Sequence, residues 1–229
     1  MQPASPEVTQ HLNHSSNCLA RATAAARSYH DRRRVIPLRD PQADPHQIDL
    51  TAHYTAPLTD GFSDARREVG LQTGLQKFAG VNFDVRGLVQ LFGRDPELRG
   101  VKRPEQISGI QIGQRAARLH LLHSEGWADS TEAEEIAALT IRYANRQEEK
   151  VPIQHAVHVA GDWSGTPSTT SDAQPVWIGT TALANANQNS VHLYKYTWPN
   201  PHPDWEIAQV DLASAKKKAS YVLVAMTLE

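Results

Sequence analysis

The sequence predicts a mainly β protein, a jelly-roll β-sandwich preceded by an N-terminal α-helix. Many short runs alternate apolar with polar residues, which is the pattern of half-buried strands. A sustained helical pattern occurs only in residues 1–35. Long connections separate several of the strand runs, which favours a jelly roll over a simple up-and-down meander.

The chain divides by pattern into three parts: a helical segment at 1–35, an extended linker at 36–47 and a β-sandwich domain at 48–229. Ser5 and Pro6 have the residue types of a helix start, and apolar residues then recur at helical spacing. Three prolines indicate that the linker is extended. The helix could serve self-association, and its basic end at residues 32–34 is interpreted as a solvated helix terminus.

The sandwich domain is predicted to begin with a short strand at residues 49–54. Residues 81–91 then alternate as one long central strand, with Phe83 and Val85 facing the core and Gly87 as a site for a bulge. Further strands are predicted at these positions: 107–113, 119–123 as a central strand, and 139–143 paired with 151–159 as a hairpin.

Three strands are predicted to close the chain. They lie at residues 191–198, 205–212 and 221–228, and prolines 199, 201 and 203 mark the turn between the first two. The last run is apolar enough for a buried strand. Strict alternation places four of its side chains on one core-facing side: Val222, Val224, Met226 and Leu228.

Composition excludes several function classes. Lysine plus arginine is 23 against 25 acids, a formal net charge of −2 that gives no electrostatic surface for nucleic acid. The single cysteine, Cys18, excludes an internal disulfide and a cysteine-based zinc cluster. No apolar run is long enough for membrane insertion, and a signal-peptide core is absent. We expect a cytoplasmic protein if Met1 is the native start and an extracytoplasmic one if the chain is trimmed.

Two H-x-x-H pairs, at 120/123 and 155/158, raise the question of a metal site. Residues i and i+3 of a strand point to opposite faces, so neither pair can chelate by itself. A cross-strand pair of His120 with His158 would supply only two of the three or four ligands that zinc needs. We therefore expect ordinary sheet histidines and no metal bound through them.

The sequence contains no catalytic motif with a recognisable setting. Ser164 lies in a loop rather than the strand–turn–helix context of a nucleophile elbow, and no phosphate-binding glycine loop is present. We predict no catalytic residue, and an enzyme is the less favoured interpretation.

Aromatic residues in or beside loops suggest a ligand site. Asp162 and Trp163 are predicted to form one wall, with Trp198 and His202 as the second. A flat aromatic face next to a hydrogen-bonding side chain suits a sugar ring. The alternative is that these tryptophans close the ends of the sandwich over its core.

Several runs resemble a bacterial β-sandwich domain, similar to the galactose-binding-like jelly rolls and to carbohydrate-binding modules found beside glycoside hydrolase catalytic domains. The most specific run is Phe78-Ala-Gly-Val-Asn-Phe-Asp-Val-Arg-Gly87, and others are Leu119-His-Leu-Leu-His123 and Lys195-Tyr-Thr-Trp-Pro-Asn-Pro201. The similarity covers about residues 36–229. It implies an accessory, non-catalytic role in binding a glycan, sometimes with a structural calcium ion. Ser164 departs from the aromatic residue expected after Trp163.

Three functions remain open. The first is a carbohydrate-binding-like module that is an accessory part of a larger system and takes a glycan or another small polar ligand. The second is a structural or protein-interaction β-sandwich with no glycan ligand. The third is a hydrolase whose site the sequence does not reveal.

Overall fold

Antiparallel strands dominate the protein, as the alternating patterns predict. The computed structural model describes residues 36–58, 70–98, 100, 102–127, 132–161, 166–179 and 190–229. The predicted N-terminal helix at 1–35 lies outside the described residues. The one described α-helix, α1, is a short segment at Arg94–Leu98.

Six strands form the larger sheet in the order β1-β4-β12-β6-β10-β9. Their bounds are β1 Ala56–Pro57, β4 Gly87–Gln90, β6 Arg118–Gly126, β9 Ala173–Gly179, β10 Val191–Pro199 and β12 Ser220–Leu228. Strand β6 has β12 and β10 as its two neighbours, so the prediction of a central strand at 119–123 is confirmed.

Four strands form the second sheet in the order β5-β11-β7-β8, and two more form a separate hairpin. Their bounds are β5 Gln106–Gln114, β7 Glu135–Tyr143, β8 Glu148–Gln154, β11 Ile207–Ser214, and, in the hairpin, β2 Gly74–Phe78 and β3 Val81–Val85. Strands β7 and β8 pair as the predicted hairpin. In β5, Gly109 and Gly113 adopt positive φ at the points where the register with β11 shifts.

The two larger sheets share an apolar core, which we call the inter-sheet core. It is lined from both sheets by residues that include Leu119, Leu121, Leu139, Ile141, Tyr194, Val210, Leu212 and Met226. The chain passes from β6 to β7 and β8, back to β9 and β10, then through β11 to β12, and so alternates between the sheets. This arrangement is consistent with a β-sandwich.

A second core lies on the other face of the six-stranded sheet, beneath the β2–β3 hairpin. This hairpin core includes Phe83, Val85, Leu88, Leu122, Leu193, Val222 and Val224. The six-stranded sheet is therefore apolar on both faces, which explains why all nine residues of β12 are buried.

Three strand predictions are corrected by the structure. Residues 49–54 contain a 3₁₀ turn at Thr51–His53 instead of a strand. The strand predicted at 81–91 is divided at Arg86 into β3 and β4, which belong to different sheets, so Phe83 is fully buried but lies in the hairpin and not in a central strand. Strand β8 ends at Gln154, and the chain then turns, with the amide of His158 donating to the carbonyl of Gln154.

Strand β12 also departs from strict alternation. Its register against β6 shifts between Leu223 and Ala225. Because a bulge inserts one residue, the alternation of side chains changes there. Val222 and Val224 consequently pack in the hairpin core, whereas Met226 and Leu228 pack in the inter-sheet core. The prediction that all four share one face is wrong.

Candidate functional site

Residues 36–47, predicted as a linker, run beside the end of β12, and we call them the strap. Gln47 forms a bridge with Thr227, and the amide of Leu228 donates to the carbonyl of His46 at 2.9 Å. Next along the chain, the amide of Ile48 donates to the carbonyl of Met226 at 2.9 Å. These bonds place the polar side chains of the strap beside the last residues of the chain.

A buried ion network holds the strap and the residues after it against the hairpin. The guanidinium of Arg86, which is 1% exposed, donates to the carboxylates of Asp84 at 2.9 Å and Asp49 at 2.6 Å. Arg39 reaches from the strap to Asp84 at 3.4 Å and to the carbonyl of Gln47 at 2.6 Å. The buried charged groups Arg86 and Asp84 thus have oppositely charged partners, which offset the loss of hydration on burial.

A polar pocket of about 480 Å³ lies where the strap, the hairpin and the ends of β6 and β12 meet. Its lining comes from four separate segments: Asp44, His46 and Gln47 of the strap, Gly80, Val81 and Asn82 of the hairpin, His120 of β6, and Thr227, Leu228 and Glu229 at the end of the chain. We call it the strap pocket. Val81 and Leu228 are its apolar residues, and most of the others present hydrogen-bonding groups.

On the strap side, the pocket wall is ordered by local hydrogen bonds. The backbone amide of His46 donates to the carboxylate of Asp44 at 2.8 Å, and the ring Nδ1 of His46 lies 2.7 Å from the same oxygen. These bonds lower the pKa of Asp44 below its usual value, the backbone bond having the larger effect. The backbone amide of Asp44 donates to the side-chain oxygen of Gln47 at 2.9 Å, so hydrogen bonds join the three residues.

On the sheet side, His120 is the central group. Its Nε2 lies 2.8 Å from the carboxylate of Glu229, and its Nδ1 lies 2.9 Å from the hydroxyl of Thr197 on β10. Arg118 donates to the other oxygen of Glu229 at 2.5 Å. Burial lowers the pKa of His120 in spite of the opposing attraction of Glu229, and the hydrogen bond from His120 lowers the pKa of Glu229. The imidazole is therefore neutral and the carboxylate is ionised at neutral pH.

His123 lies on the opposite face of β6 from His120, as the i, i+3 spacing predicts. It is fully buried in the inter-sheet space, where its Nε2 donates to the carbonyl of His158 at 2.8 Å and its Nδ1 accepts from the hydroxyl of Tyr221 at 3.0 Å. Both ring nitrogens are satisfied, so His123 is a structural histidine. His158 packs on the ring of Tyr196, with 4.6 Å between the ring centroids.

A carboxylate–imidazole pair lies at the far end of β6. Glu125 is 3% exposed and makes a short hydrogen bond with Nδ1 of His155. A Cβ added at Gly161 would lie 2.2 Å from the backbone carbonyl oxygen of Glu125, so only glycine allows this approach of the two segments. Neither Glu125 nor His155 lines the strap pocket.

The four residues predicted as a ligand site are not all described. Asp162 and Trp163 lie outside the described residues. Trp198 is 8% exposed and packs in the inter-sheet core, so most of the surface of its ring is in contact with core residues. His202 is half-buried. Neither Trp198 nor His202 lines the strap pocket, and the binding roles of all four residues stay predictions.

His202 is part of an aromatic cluster that the sequence analysis did not predict. Its ring stacks on Trp205, with centroids 3.8 Å apart and planes at 10°, and the edge of Tyr143 meets both rings. Asn200 orders this turn, because its side-chain oxygen accepts from the hydroxyl of Tyr143 at 2.6 Å and from the amide of His202 at 2.9 Å. Trp205 also packs against the inter-sheet core.

The pocket residues were missed by sequence reasoning, with His120 as a partial exception. His120 was singled out as a candidate metal ligand because of its spacing to His123. Asp44, His46, Asn82 and Glu229 carry no local signal, since their neighbours in space are distant in sequence. Within the described ranges, no group of three or more His, Cys, Asp or Glu side chains could hold a metal ion. In the same part of the chain, no helix is long and apolar enough to cross a membrane.

The described fold and the site together define a class: a mainly β protein with two larger antiparallel sheets, a two-stranded hairpin and a polar surface pocket. Comparisons with protein-family models, with curated proteins and with solved structures each found no match to this chain.

Proposed function

We propose that this protein is a binding module for a small polyhydroxylated ligand of glycan type, accessory to a larger system. The main observation in support of this proposal is that polar side chains from four segments of the chain line one pocket. The strap pocket is the site in this proposal. The fold assigned with it is a galactose-binding-like jelly roll, similar to carbohydrate-binding modules, which the motif similarity and the sandwich-like pairing of sheets support.

The volume and lining of the pocket suit such a ligand. A cavity of about 480 Å³ lies within the usual range of small-molecule sites, about 300–1,000 Å³. Sugar hydroxyls both donate and accept hydrogen bonds, and the lining offers carboxylates, amides, imidazoles and a hydroxyl that can match both roles. Val81, which is only partly buried, provides an apolar contact for the C–H groups of a sugar ring.

The wall is also ordered before a ligand arrives. Asp44, His46 and Gln47 are joined by hydrogen bonds, and Glu229 is held by His120 and Arg118. Side chains that are already fixed lose less conformational entropy on binding, which favours affinity. Asn82 is exposed at the rim, where its amide can contact a ligand.

The test is a glycan-array screen of the intact chain, followed by calorimetry with the best oligosaccharide. Asn82→Ala should weaken binding by about tenfold, the effect of losing one useful hydrogen bond. Gln147→Ala removes an exposed amide in the turn between β7 and β8, on the other sheet, and should leave the affinity unchanged.

Two outcomes contradict the proposal. If no glycan binds, the structural or protein-interaction alternative is favoured. If Trp163→Ala abolishes binding while Asn82→Ala leaves it intact, the ligand site is the predicted one around residues 162–163 and not the strap pocket.

A further inference from the structure

Three side chains beside the strap pocket form a continuous chain of hydrogen bonds. Thr197 and His120 are directly opposite each other on the neighbouring strands β10 and β6, and the threonine hydroxyl lies 2.9 Å from Nδ1 of the imidazole. The other ring nitrogen, Nε2, lies 2.8 Å from the carboxylate of Glu229. Hydroxyl, imidazole and carboxylate thus follow one another at hydrogen-bond distance, which is the arrangement of an activated nucleophile, its base and the group that orients the base.

The direction of each proton follows from the charges. An ionised carboxylate only accepts hydrogen bonds, so Nε2 of His120 must carry the proton that is donated to Glu229. A neutral imidazole has one proton on its ring nitrogens, which makes Nδ1 an acceptor. The hydroxyl of Thr197 therefore donates to Nδ1. Its proton already points at the base, and the lone pairs of its oxygen remain for attack.

A positive charge accompanies these groups. Lys195 lies two residues before Thr197 and therefore on the same face of β10. Its ammonium donates to the carbonyl of Ala79 at 3.2 Å, and it is near enough to lower the pKa of both His120 and Glu229. An ammonium on this face of the strand can stabilise the negative oxygen that forms when a carbonyl is attacked.

We propose that Thr197 is an acyl-accepting nucleophile with His120 as its general base, and that the protein hydrolyses an ester of a small polar alcohol. Glu229 orients the imidazole and Lys195 faces the developing oxyanion. Thr197 is half-buried and lies beside the pocket that His120 and Glu229 line. This activity goes beyond ligand binding and corresponds to the hydrolase alternative.

The reaction balances with water as the second substrate. The oxygen of Thr197 forms a bond to the acyl carbon while its proton moves to Nδ1 of His120. The ester C–O bond then breaks, and His120 returns the proton to the departing alcohol. In the second half, Nδ1 of His120 takes a proton from water while the water oxygen bonds to the acyl carbon. The bond between that carbon and Oγ of Thr197 then breaks, His120 returns the proton to Oγ, and the carboxylic acid is released with Thr197 and neutral His120 restored.

The experiment uses the intact chain with p-nitrophenyl acetate. Nitrophenol release is followed over time, and samples quenched in acid are mapped by peptide mass spectrometry for an acetyl group. We expect acetylation of Thr197 and turnover above the buffer rate. Thr197→Val keeps the side-chain shape but lacks the hydroxyl, so it should lower turnover at least about 100-fold. Thr197→Ser should restore it.

The matched control is Thr140→Val on β7, a half-buried strand threonine of the other sheet, which should hydrolyse the ester like the unchanged protein. The proposal is overturned if Thr197→Val retains full turnover, if the acetyl group is found only on lysines, or if turnover does not exceed that of buffer. Glycan binding is measured separately with unesterified ligands, so failure of the esterase activity leaves the binding proposal intact and the reverse also holds.

Discussion

At the scale of single residues, histidine shows most clearly how the sheet decides chemical role. His120 and His123 are three positions apart on β6, and their rings lie on opposite faces of the six-stranded sheet. His120 contacts a pocket that is open to ligand, whereas His123 is enclosed with both nitrogens hydrogen-bonded inside the protein. For this pair, the prediction that the two histidines do not chelate one metal ion rests on this separation, whereas His155 and His158 follow the end of β8 in a turn.

The burial of His123 predicts sensitivity to acid. Burial lowers its pKa from 6.5 to about 3. Its folded pKa is below its unfolded pKa, so the unfolded chain binds the proton more readily, and stability is lost as the pH falls from about 6.5 towards 3. The free energy of unfolding should fall by up to about 1.4 kcal/mol per pH unit for this histidine.

Urea unfolding at a series of pH values checks this loss. Nitrogen-15 NMR of the folded protein should show His123 as the neutral tautomer, protonated at Nε2, at pH 5. A charged His123 ring at pH 5 would contradict the assigned environment.

At the scale of elements, the strap is the described segment for which the observed role differs most from the role predicted from the sequence. Three prolines indicate an extended linker, yet its backbone pairs beside β12 and its side chains form one wall of the pocket. The Arg86 network joins this region to the hairpin through Asp49 and Asp84. The strap pocket therefore depends on a set of buried ion pairs outside it.

Arg86→Ala should destabilise the protein by about 3–5 kcal/mol, because it leaves the carboxylate of Asp84, 2% exposed, with much of its charge uncompensated. The control is Lys150→Ala, which removes an exposed ion pair with Glu135 and should cost less than about 1 kcal/mol. Denaturant unfolding of both variants gives the comparison. Equal, small losses would show that the network does not hold the strap.

At the scale of the whole molecule, the six-stranded sheet joins two cores. Strands β6, β10 and β12 each give side chains to the inter-sheet core on one face and to the hairpin core on the other. Loss of either core exposes apolar residues of the same three strands. We therefore expect the described body to unfold as one cooperative unit.

Phe83→Ala tests this coupling, since Phe83 is fully buried in the hairpin core. The substitution should cost about 3–5 kcal/mol. When the unfolding of this variant is measured by far-ultraviolet circular dichroism and by tryptophan fluorescence, the two transitions should still coincide. Two separated transitions would show that the hairpin core unfolds independently of the inter-sheet core.

The sequence by itself determined most of the strands and many of their faces, because alternation is a local property with a period of two residues. In β10, the alternation of Tyr194, Tyr196 and Trp198 against Leu193 corresponds to the two cores of the structure. The alternation of apolar and polar residues gave wrong predictions where the backbone departs from regular strand geometry. The break at Arg86 and the bulge in β12 change which face a side chain occupies, and neither changes the apolar pattern.

Only the tertiary structure decided where the candidate site lies. His120 and Glu229 are 109 residues apart in sequence, and Thr197 is 77 residues from His120, yet strand pairing places the three within hydrogen-bond distance. The strap reaches the same place through its pairing with β12. Convergence of this kind depends on the order of strands in the sheet, which short-range periodicity does not encode.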